Sequence, residues 1–218
     1  MTLSASPAAP EAAIPVDGLA PLRFPSGLRL TPDQFALLCA ENRDAVLELA
    51  ADGQVLAMTP TGSETGARNA RLEMRLLLWA DRQGGWKVFG SSTGFRLPDA
   101  SVLSPDASLV RLDRWQALTP EQRRGFAPLC PDLVVELASP NGASPSDEGP
   151  RALAALRTKM AAYQANGARL GWLLIPHQQA VEVWPASGDA QRFEGPAELE
   201  AGPDFPGLQL QLAEIWAG

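Results

Sequence analysis

The sequence is poor in the residues from which many catalytic and metal sites are built. Its 218 residues include one histidine, His177, and two cysteines, Cys39 and Cys130. The cysteines lie far apart without CxxC spacing, so the sequence predicts neither a disulfide framework nor a zinc site. We expect both cysteines to be buried free thiols, which is typical of a protein in a reducing cytoplasm. His177 falls in an apparent hairpin turn without an obvious nucleophile partner, which argues against a histidine-dependent hydrolase.

Long apolar runs are also absent. No uninterrupted apolar stretch reaches the length of a transmembrane helix. No lysine or arginine precedes Arg23, and prolines interrupt the apolar residues before it, so we expect no secretory signal. These features predict a cytoplasmic location and no membrane association. Glycine spacings of the Walker or Rossmann type are missing, which predicts no nucleotide cofactor.

Positive charge is scarce too. The chain has 18 lysines and arginines against 25 aspartates and glutamates, for a formal net charge of -7. That balance argues against a nucleic-acid coat protein, whose surface would be basic. It does not exclude an enzyme that acts on nucleic acid, because an acidic metal site contributes negative charge itself.

The apolar content is sufficient for a sizeable core. The composition is 45% hydrophobic and 20% charged, which argues against global disorder. Residues 1–27 are rich in alanine and proline and predict a flexible or loosely docked extension. Residues 28–218 predict a single domain, since no interdomain linker interrupts them.

Two long helices and several short strands alternate along this domain. Helices are predicted over residues 63–82 and 151–166, and β-hairpins over residues 45–58 and 170–184. The first helix is indicated by apolar residues that recur at helical spacing, namely Ala67, Ala70, Met74, Leu77 and Leu78. The order predicts an α/β fold with a mixed central sheet flanked by helices, one on each side, and additional N-terminal and C-terminal hairpins.

Two of the apolar strands carry an acid that such a strand does not need. Residues 104–110 contain Asp106, and residues 131–139 contain Glu136. Strand alternation places Glu136 on the face opposite Leu137. A buried charge is costly unless it is paired or bound to metal, and two acids on neighbouring strands would suit a hard divalent cation. Taken singly, each acid fits better as a strand-end carboxylate that reaches solvent or a salt bridge than as a metal ligand.

Lys159 is the third candidate residue of this site, and it stands out because the chain has only one other lysine, Lys87. On the helix over residues 151–166, Lys159 falls roughly 40° outside an apolar stripe that includes Met160 and Tyr163. Its ammonium can therefore reach the strand ends and orient a water or stabilise a phosphorane-like transition state. The alternative is a lysine that snorkels along the helix flank.

Several motifs of this chain occur together in one known family. They are residues 47–58, TPTGSETG at 59–66, GSSTGF at 90–95, LSPDAS at 103–108, PLCPDLVVEL at 128–137 and residues 159–172. In these stretches the chain resembles the Uma-two family of restriction-endonuclease-like proteins. The resemblance covers residues 28–218 and is specific as a combination, although each motif alone would be weak.

The resemblance implies a nuclease core of the PD-(D/E)xK superfamily. Asp106 matches the aspartate of the PD half and Glu136 the acid of the second half. Ala138 stands where the lysine is usually found, and Lys159 on the following helix matches the lysine that takes its place in this family. Glu48 matches an acid that such folds often place beside the metal.

The chemistry implied by the resemblance is metal-assisted hydrolysis of DNA phosphodiester bonds. Asp106, Glu136 and the backbone carbonyl of Leu137 would hold one Mg²⁺ or Mn²⁺, and Glu48 would bind that metal or a second one. Lys159 would orient or help deprotonate the attacking water. DNA is then the expected substrate, and a homodimer is expected because such folds often dimerise.

Two other classes of protein stay open at this point. The first is a non-catalytic module that keeps the nuclease fold as a DNA- or protein-binding scaffold, which the acidic balance and Ala138 favour. The second is a self-associating structural protein, supported only by apolar content. Carboxylates of Asp106 and Glu136 within about 5 Å of each other, with Lys159 close by, would favour the nuclease.

Overall fold

A computed structural model describes residues 24–25, 27–58, 61–139 and 150–217. The predicted extension therefore lies almost entirely outside the described residues, and so does nearly all of the loop at 140–150. The strands are β1 (Val46–Leu49), β2 (Val55–Met58), β3 (Trp86–Gly90), β4 (Phe95–Arg96), β5 (Val102–Leu103), β6 (Ala107–Arg111), β7 (Leu133–Leu137), β8 (Leu170–Ile175), β9 (Ala180–Pro185), β10 (Gln191–Glu194), β11 (Glu198–Glu200) and β12 (Gln209–Gln211). The helices are α1 (Pro32–Glu41), α2 (Ser63–Gln83), α3 (Leu112–Gln116), α4 (Pro120–Arg124), α5 (Pro150–Ala165) and α6 (Ala213–Trp216).

The central sheet is mixed, as the sequence predicts. Its six strands lie in the order β10-β9-β8-β7-β6-β3, and a four-stranded sheet of order β2-β1-β5-β4 stands beside it. Strands β7 and β8 are parallel, whereas the other pairs of the central sheet are antiparallel. Parallel neighbours need a crossover, and α5 supplies it between β7 and β8. Both predicted hairpins are confirmed as β1–β2 and β8–β9.

A long helix packs on each face of the central sheet. Helix α2 contributes Leu72 and Leu76 to a core cluster that includes Leu133 of β7, and α5 contributes Met160 to a second cluster that includes Val134. Successive residues of β7 thus enter opposite cores, as strand alternation requires. Glu136 lies on the α5 side of the sheet because it shares the parity of Val134.

The face that α2 buries differs from the one its apolar residues suggest. Met74, Leu77 and Leu78 are 42–50% exposed, and Ala67 and Ala70 are exposed as well. The buried stripe begins with polar residues and continues with apolar ones, comprising Thr65, Arg68, Asn69, Leu72, Leu76, Trp79 and Ala80. The predicted helix is therefore confirmed, but the residues that indicate it point away from the sheet. Polar side chains at its N-terminal half enter the protein instead.

Helix α5 approaches the sheet closely at one glycine. Gly171 of β8 lies beneath Met160 and beside Trp184, and a Cβ at this position would collide with the Met160 methyl group. Gly171 also pairs with Val134 of the neighbouring strand. The absence of a side chain at residue 171 lets Met160 of α5 pack closely on β8, next to the strand that carries Glu136.

The remaining predictions about cysteine, histidine and membrane segments have mixed outcomes. Cys39 and Cys130 are both free thiols, but only Cys130 is buried, and burial raises the pKa of its thiol to about 12. His177 lies in the 3-10 turn Pro176–Gln178 between β8 and β9, as the hairpin prediction expects. In the described part of the chain, no helix combines the length and apolar character needed to cross a bilayer.

Candidate active site

The register of β6 and β7 places Asp106 across from Glu136. Ala107 pairs with Val135 in this antiparallel pair, so the next position along each strand sets the two acids opposite each other. Directly opposed residues have Cβ atoms about 5 Å apart and point to the same face. Both acids therefore lie at the same end of the strand pair, where Glu136 contacts Lys159 of α5 and Asp106 contacts Asn69 of α2.

The carboxylate of Asp106 is held at both oxygens. The backbone N–H of Leu137 donates to Oδ2 at 2.7 Å, and the side-chain amide of Asn69 donates to Oδ1 at 3.1 Å. By the same register Pro105 faces Leu137, and a proline has no N–H with which to extend the strand ladder. The Asp106 carboxylate accepts the Leu137 N–H at the point where the ladder ends, which fixes its orientation.

Lys159 reaches these strand ends from α5. Its ammonium donates to Oε1 of Glu48 at 2.8 Å, to Oε1 of Glu136 at 2.9 Å and to the backbone carbonyl of Ser104 at 2.9 Å. An ammonium has three N–H donors, so these contacts use its full capacity. The side chain is 13% exposed, and those of Glu48 and Glu136 are 4% exposed. Lys159 thus brings a lysine ammonium to Glu136 from α5, although residue 138 is an alanine.

Glu48 arrives from the smaller sheet. Leu49 of β1 pairs with Val102 of β5, which brings β1 to the chain segment that leads into β6. Oε1 of Glu48 accepts the backbone N–H of Ser104 at 2.7 Å in addition to the lysine. The backbone of Ser104 therefore contacts Glu48 through its N–H and Lys159 through its carbonyl.

Burial and mutual repulsion perturb the acids. Burial raises the pKa of Glu136 to about 8, opposed by the charge of Lys159 and reinforced by Asp106 and Glu48. Burial also raises the pKa of Asp106, against the lowering effect of the Leu137 N–H and the lysine charge. Burial alone would lower the pKa of Lys159, but Glu136 and Glu48 outweigh it and hold that pKa above its ordinary value. Three acids share one ammonium, so the fully ionised cluster carries excess negative charge.

Tyr163 and Asn69 belong to this cluster, although the sequence analysis does not assign them to it. The Tyr163 hydroxyl donates to Oε1 of Glu136 at 3.2 Å, and burial raises the pKa of that hydroxyl. Tyr163 could have been found from the sequence, because it belongs to the apolar stripe of α5 and lies one turn after Lys159. The sequence indicates Asn69 less clearly. It is a polar residue that continues the helical spacing of Leu72 and Leu76 toward the N-terminus of α2.

The acids line a cleft of about 570 Å³ between the two sheets and the two long helices. Its wall also includes hydroxyl side chains from three segments of the chain, Thr65, Ser91, Ser92 and Ser139. Thr65 and Ser139 are hydrogen-bonded to each other at 2.8 Å. The cleft therefore offers hydroxyl groups beside the carboxylates, together with apolar side chains such as Met58 and Leu156.

The donor chemistry of this cleft fits a hard divalent cation, whose preferred ligands are carboxylate and amide oxygens. Asp106 and Glu136 supply carboxylates from adjacent strands, and Leu137 lines the same cleft. Within the described ranges, however, histidine, cysteine, aspartate and glutamate side chains form no group of three or more able to hold a metal ion. Lys159 separates Glu48 from Glu136, which gives a physical reason for that arrangement.

The mixed sheet, with a helix on each face, is that of the restriction-endonuclease-like proteins, which include nucleases. The chain belongs to the Uma2 family, whose model, described as "Putative restriction endonuclease", matches residues 32–213. The fold is also similar to a crystal structure from Anabaena variabilis ATCC 29413, titled a "putative nuclease belonging to DUF820". That similarity has a TM-score of 0.67 and 20% sequence identity, and it covers 86% of this chain and 98% of the other. No curated protein matches the chain significantly.

Proposed function

We propose that this protein is a metal-dependent endonuclease that hydrolyses phosphodiester bonds of DNA. The observation that carries the proposal is the convergence of Asp106, Glu136, Glu48 and Lys159 at one end of the β6–β7 pair, inside a single cleft. Family membership supports the nuclease class. A binding scaffold has no use for two buried acids on opposed strand ends, because their charges raise the energy of the folded state.

In this proposal Asp106, Glu136 and the carbonyl of Leu137 hold one Mg²⁺ or Mn²⁺, with Glu48 nearby. A divalent metal in such a site polarises the phosphate and lowers the pKa of a bound water. The Leu137 N–H and Asn69 keep Asp106 oriented toward the cleft. These bonds favour the ionised form of Asp106, which is the form that binds a cation.

The charges of the cluster give Lys159 and Glu136 different roles in this proposal. Lys159 stays protonated because its pKa is raised, so it places positive charge beside the phosphate and orients water rather than taking a proton. In the absence of metal, burial raises the pKa of Glu136 to about 8. A cation that binds Glu136 near neutrality must therefore displace its proton, so we expect metal binding to strengthen as the pH rises toward 8.

A cleavage assay tests the proposal. Wild-type protein should nick supercoiled plasmid and cut single-stranded DNA in Mg²⁺ or Mn²⁺, and excess EDTA should stop the reaction. Asp106→Asn and Glu136→Gln should each lower the rate by roughly 10³-fold, since each removes charge from the site. Lys87→Met removes the other lysine of the chain, on β3 outside the cleft, and should retain the wild-type rate.

One observation favours a second function, that of a non-catalytic scaffold. Lys159 satisfies all its donors with Glu48, Glu136 and Ser104, as a purely structural buried network would. A scaffold would bind DNA equally well with EDTA or Mg²⁺ and would leave plasmid intact. Equal residual cleavage by wild type, Asp106→Asn and Glu136→Gln would indicate a contaminating nuclease and contradict the endonuclease proposal.

The homodimer stays a prediction alongside this function. Size-exclusion chromatography with light scattering, with and without a DNA duplex, measures it. A mass of one chain across a concentration series would contradict it.

A further inference from the structure

Asn69 is the buried polar side chain of the cleft whose hydrogen bonds are least complete. It lies on α2, is 7% exposed and lines the cleft beside Asp106. Its amide nitrogen donates to Oδ1 of Asp106, but its carbonyl oxygen Oδ1 has no hydrogen-bond partner among the described residues. A buried carbonyl without a partner is unfavourable and calls for a specific explanation.

The orientation of the Asn69 amide follows from its neighbour. Rotating the amide by 180° would turn its carbonyl oxygen toward the Asp106 carboxylate, and two acceptors would then face each other. The nitrogen must therefore face Asp106, and the oxygen must face elsewhere. The contact with Asp106 therefore leaves the Asn69 oxygen without a partner, and rotating the amide does not solve this.

We infer that Asn69 is a further ligand of the divalent cation, which its side-chain carbonyl oxygen binds while its nitrogen holds Asp106. The inference rests on the proposed function and adds a residue to it. Amide oxygens are ordinary ligands of hard cations. A neutral ligand also suits this cleft, because the acids already outnumber the ammonium and a further carboxylate would add repulsion.

A second argument for this role of Asn69 is that the acids alone provide few ligands for a divalent cation. Glu48 and Glu136 both share an oxygen with Lys159, and the described residues contain no group of three acids, histidines or cysteines suited to a metal. The Asn69 amide contacts Asp106 and would add a neutral oxygen ligand next to that acid. Asn69 would thus complete coordination where Glu48 is engaged in the ion pair.

Binding of Mn²⁺ in the absence of DNA tests this inference. Titration calorimetry and the electron paramagnetic resonance signal of free Mn²⁺ both measure the dissociation constant without any catalytic turnover. Asn69→Leu keeps the side-chain shape but removes the oxygen, and should weaken Mn²⁺ binding by about tenfold or more. Asn69→Ala should do the same if the leucine variant fails to fold. Asn42→Ala, at the end of α1, serves as a control and should bind Mn²⁺ as the wild type does.

Asn69→Asp separates a ligand from a residue that only positions Asp106. An aspartate restores an oxygen but cannot donate to Asp106 when ionised. It should bind Mn²⁺ more tightly than Asn69→Leu, with an affinity that rises more steeply with pH. Binding by Asn69→Asp no tighter than by Asn69→Leu would overturn the ligand role, as would wild-type affinity in Asn69→Leu. If wild type and Asp106→Asn both fail to bind Mn²⁺, the metal-dependent function fails and the ligand role fails with it.

Discussion

Two buried glutamates on the same row of the central sheet have opposite electrostatic environments. Glu136 lies opposite Leu173, which lies opposite Glu182 of β9, and α5 covers both acids. Helix α5 also supplies a cation to each, Lys159 to Glu136 and Arg157 to Glu182. Yet the pKa of Glu136 is raised to about 8, whereas that of Glu182 is lowered.

The ratio of charges explains the difference. Glu182 accepts hydrogen bonds from Arg157 at 2.5 Å and from Arg192 at 3.3 Å, so two guanidinium groups face one carboxylate. At the other position, Glu136 shares one ammonium with Glu48 and lies beside Asp106. Arg192 also pairs with Glu194, so this cluster has two guanidinium groups for two carboxylates and is balanced in charge. The cluster at Glu136 has excess negative charge that a proton or a metal cation would relieve, as expected of a functional site.

Removing the cation that α5 places beside each glutamate should change the free energy of unfolding most, and by different amounts at the two sites. Lys159→Met leaves Glu48 and Glu136 buried without a cation beside them and should destabilise the protein by about 3–5 kcal/mol at pH 8. Arg157→Met should cost only about 1 kcal/mol, because Arg157 is 44% exposed and Arg192 remains beside Glu182. Urea denaturation in EDTA measures both. Equal losses in the two variants would show that the clusters do not differ.

Divalent metal should act on one cluster alone. Saturating Mn²⁺ should stabilise wild-type protein by about 2.7 kcal/mol at a hundredfold excess over the dissociation constant. Glu182→Gln should keep this stabilisation and Glu136→Gln should lose it. Thermal unfolding with Mn²⁺ or EDTA provides the measurement, and stabilisation of Glu136→Gln equal to that of wild type would contradict the assignment.

The pH dependence of stability should have opposite signs at the two acids. Between the unfolded pKa of Glu136, near 4.5, and its folded pKa of about 8, the folded protein holds the additional proton. Its contribution to stability is therefore fully present below pH 4.5 and is lost as the pH rises to 8, with a slope of at most about 1.4 kcal/mol per pH unit. Glu136→Gln should flatten this decline.

Glu182 should respond in acid instead. Because its folded pKa is lowered, its contribution is present above pH 4.5 and is lost as the pH falls through the folded pKa. Urea midpoints in EDTA across pH 3–9 for both glutamine variants measure the two windows. A decline above pH 5 that persists unchanged in Glu136→Gln would assign that titration to another group.

The smallest expected effect comes from Tyr163→Phe. The substitution keeps the ring in the core and removes one hydrogen bond to Glu136, so it should cost about 1 kcal/mol. It should also raise the pKa of Glu136, since the hydroxyl favours the ionised carboxylate. A shift of the pH–stability curve toward higher pH would show this, and an unchanged curve would mean that the hydroxyl does not contribute.

Much of the fold and part of the site could be predicted from local sequence patterns. Strand alternation places Glu136 on the α5 side, and the apolar stripe of α5 places Lys159 near the strand ends. Glu48 required the resemblance, because its contact with Lys159 depends on the pairing of β1 with β5 across more than fifty residues. Asn69 escaped prediction since the apolar residues of α2, such as Met74 and Leu77, indicate the exposed face.

Gly171 links the packing of α5 to the charged site through a position that carries no charge. A methyl group there would collide with the Met160 methyl group and lie 3.2 Å from the Trp184 Cβ, so the flexible end of Met160 would have to move. Lys159 precedes Met160 on α5, and its ammonium contacts Glu48 and Glu136. The packing beside the lysine therefore depends in part on a residue that has no side chain.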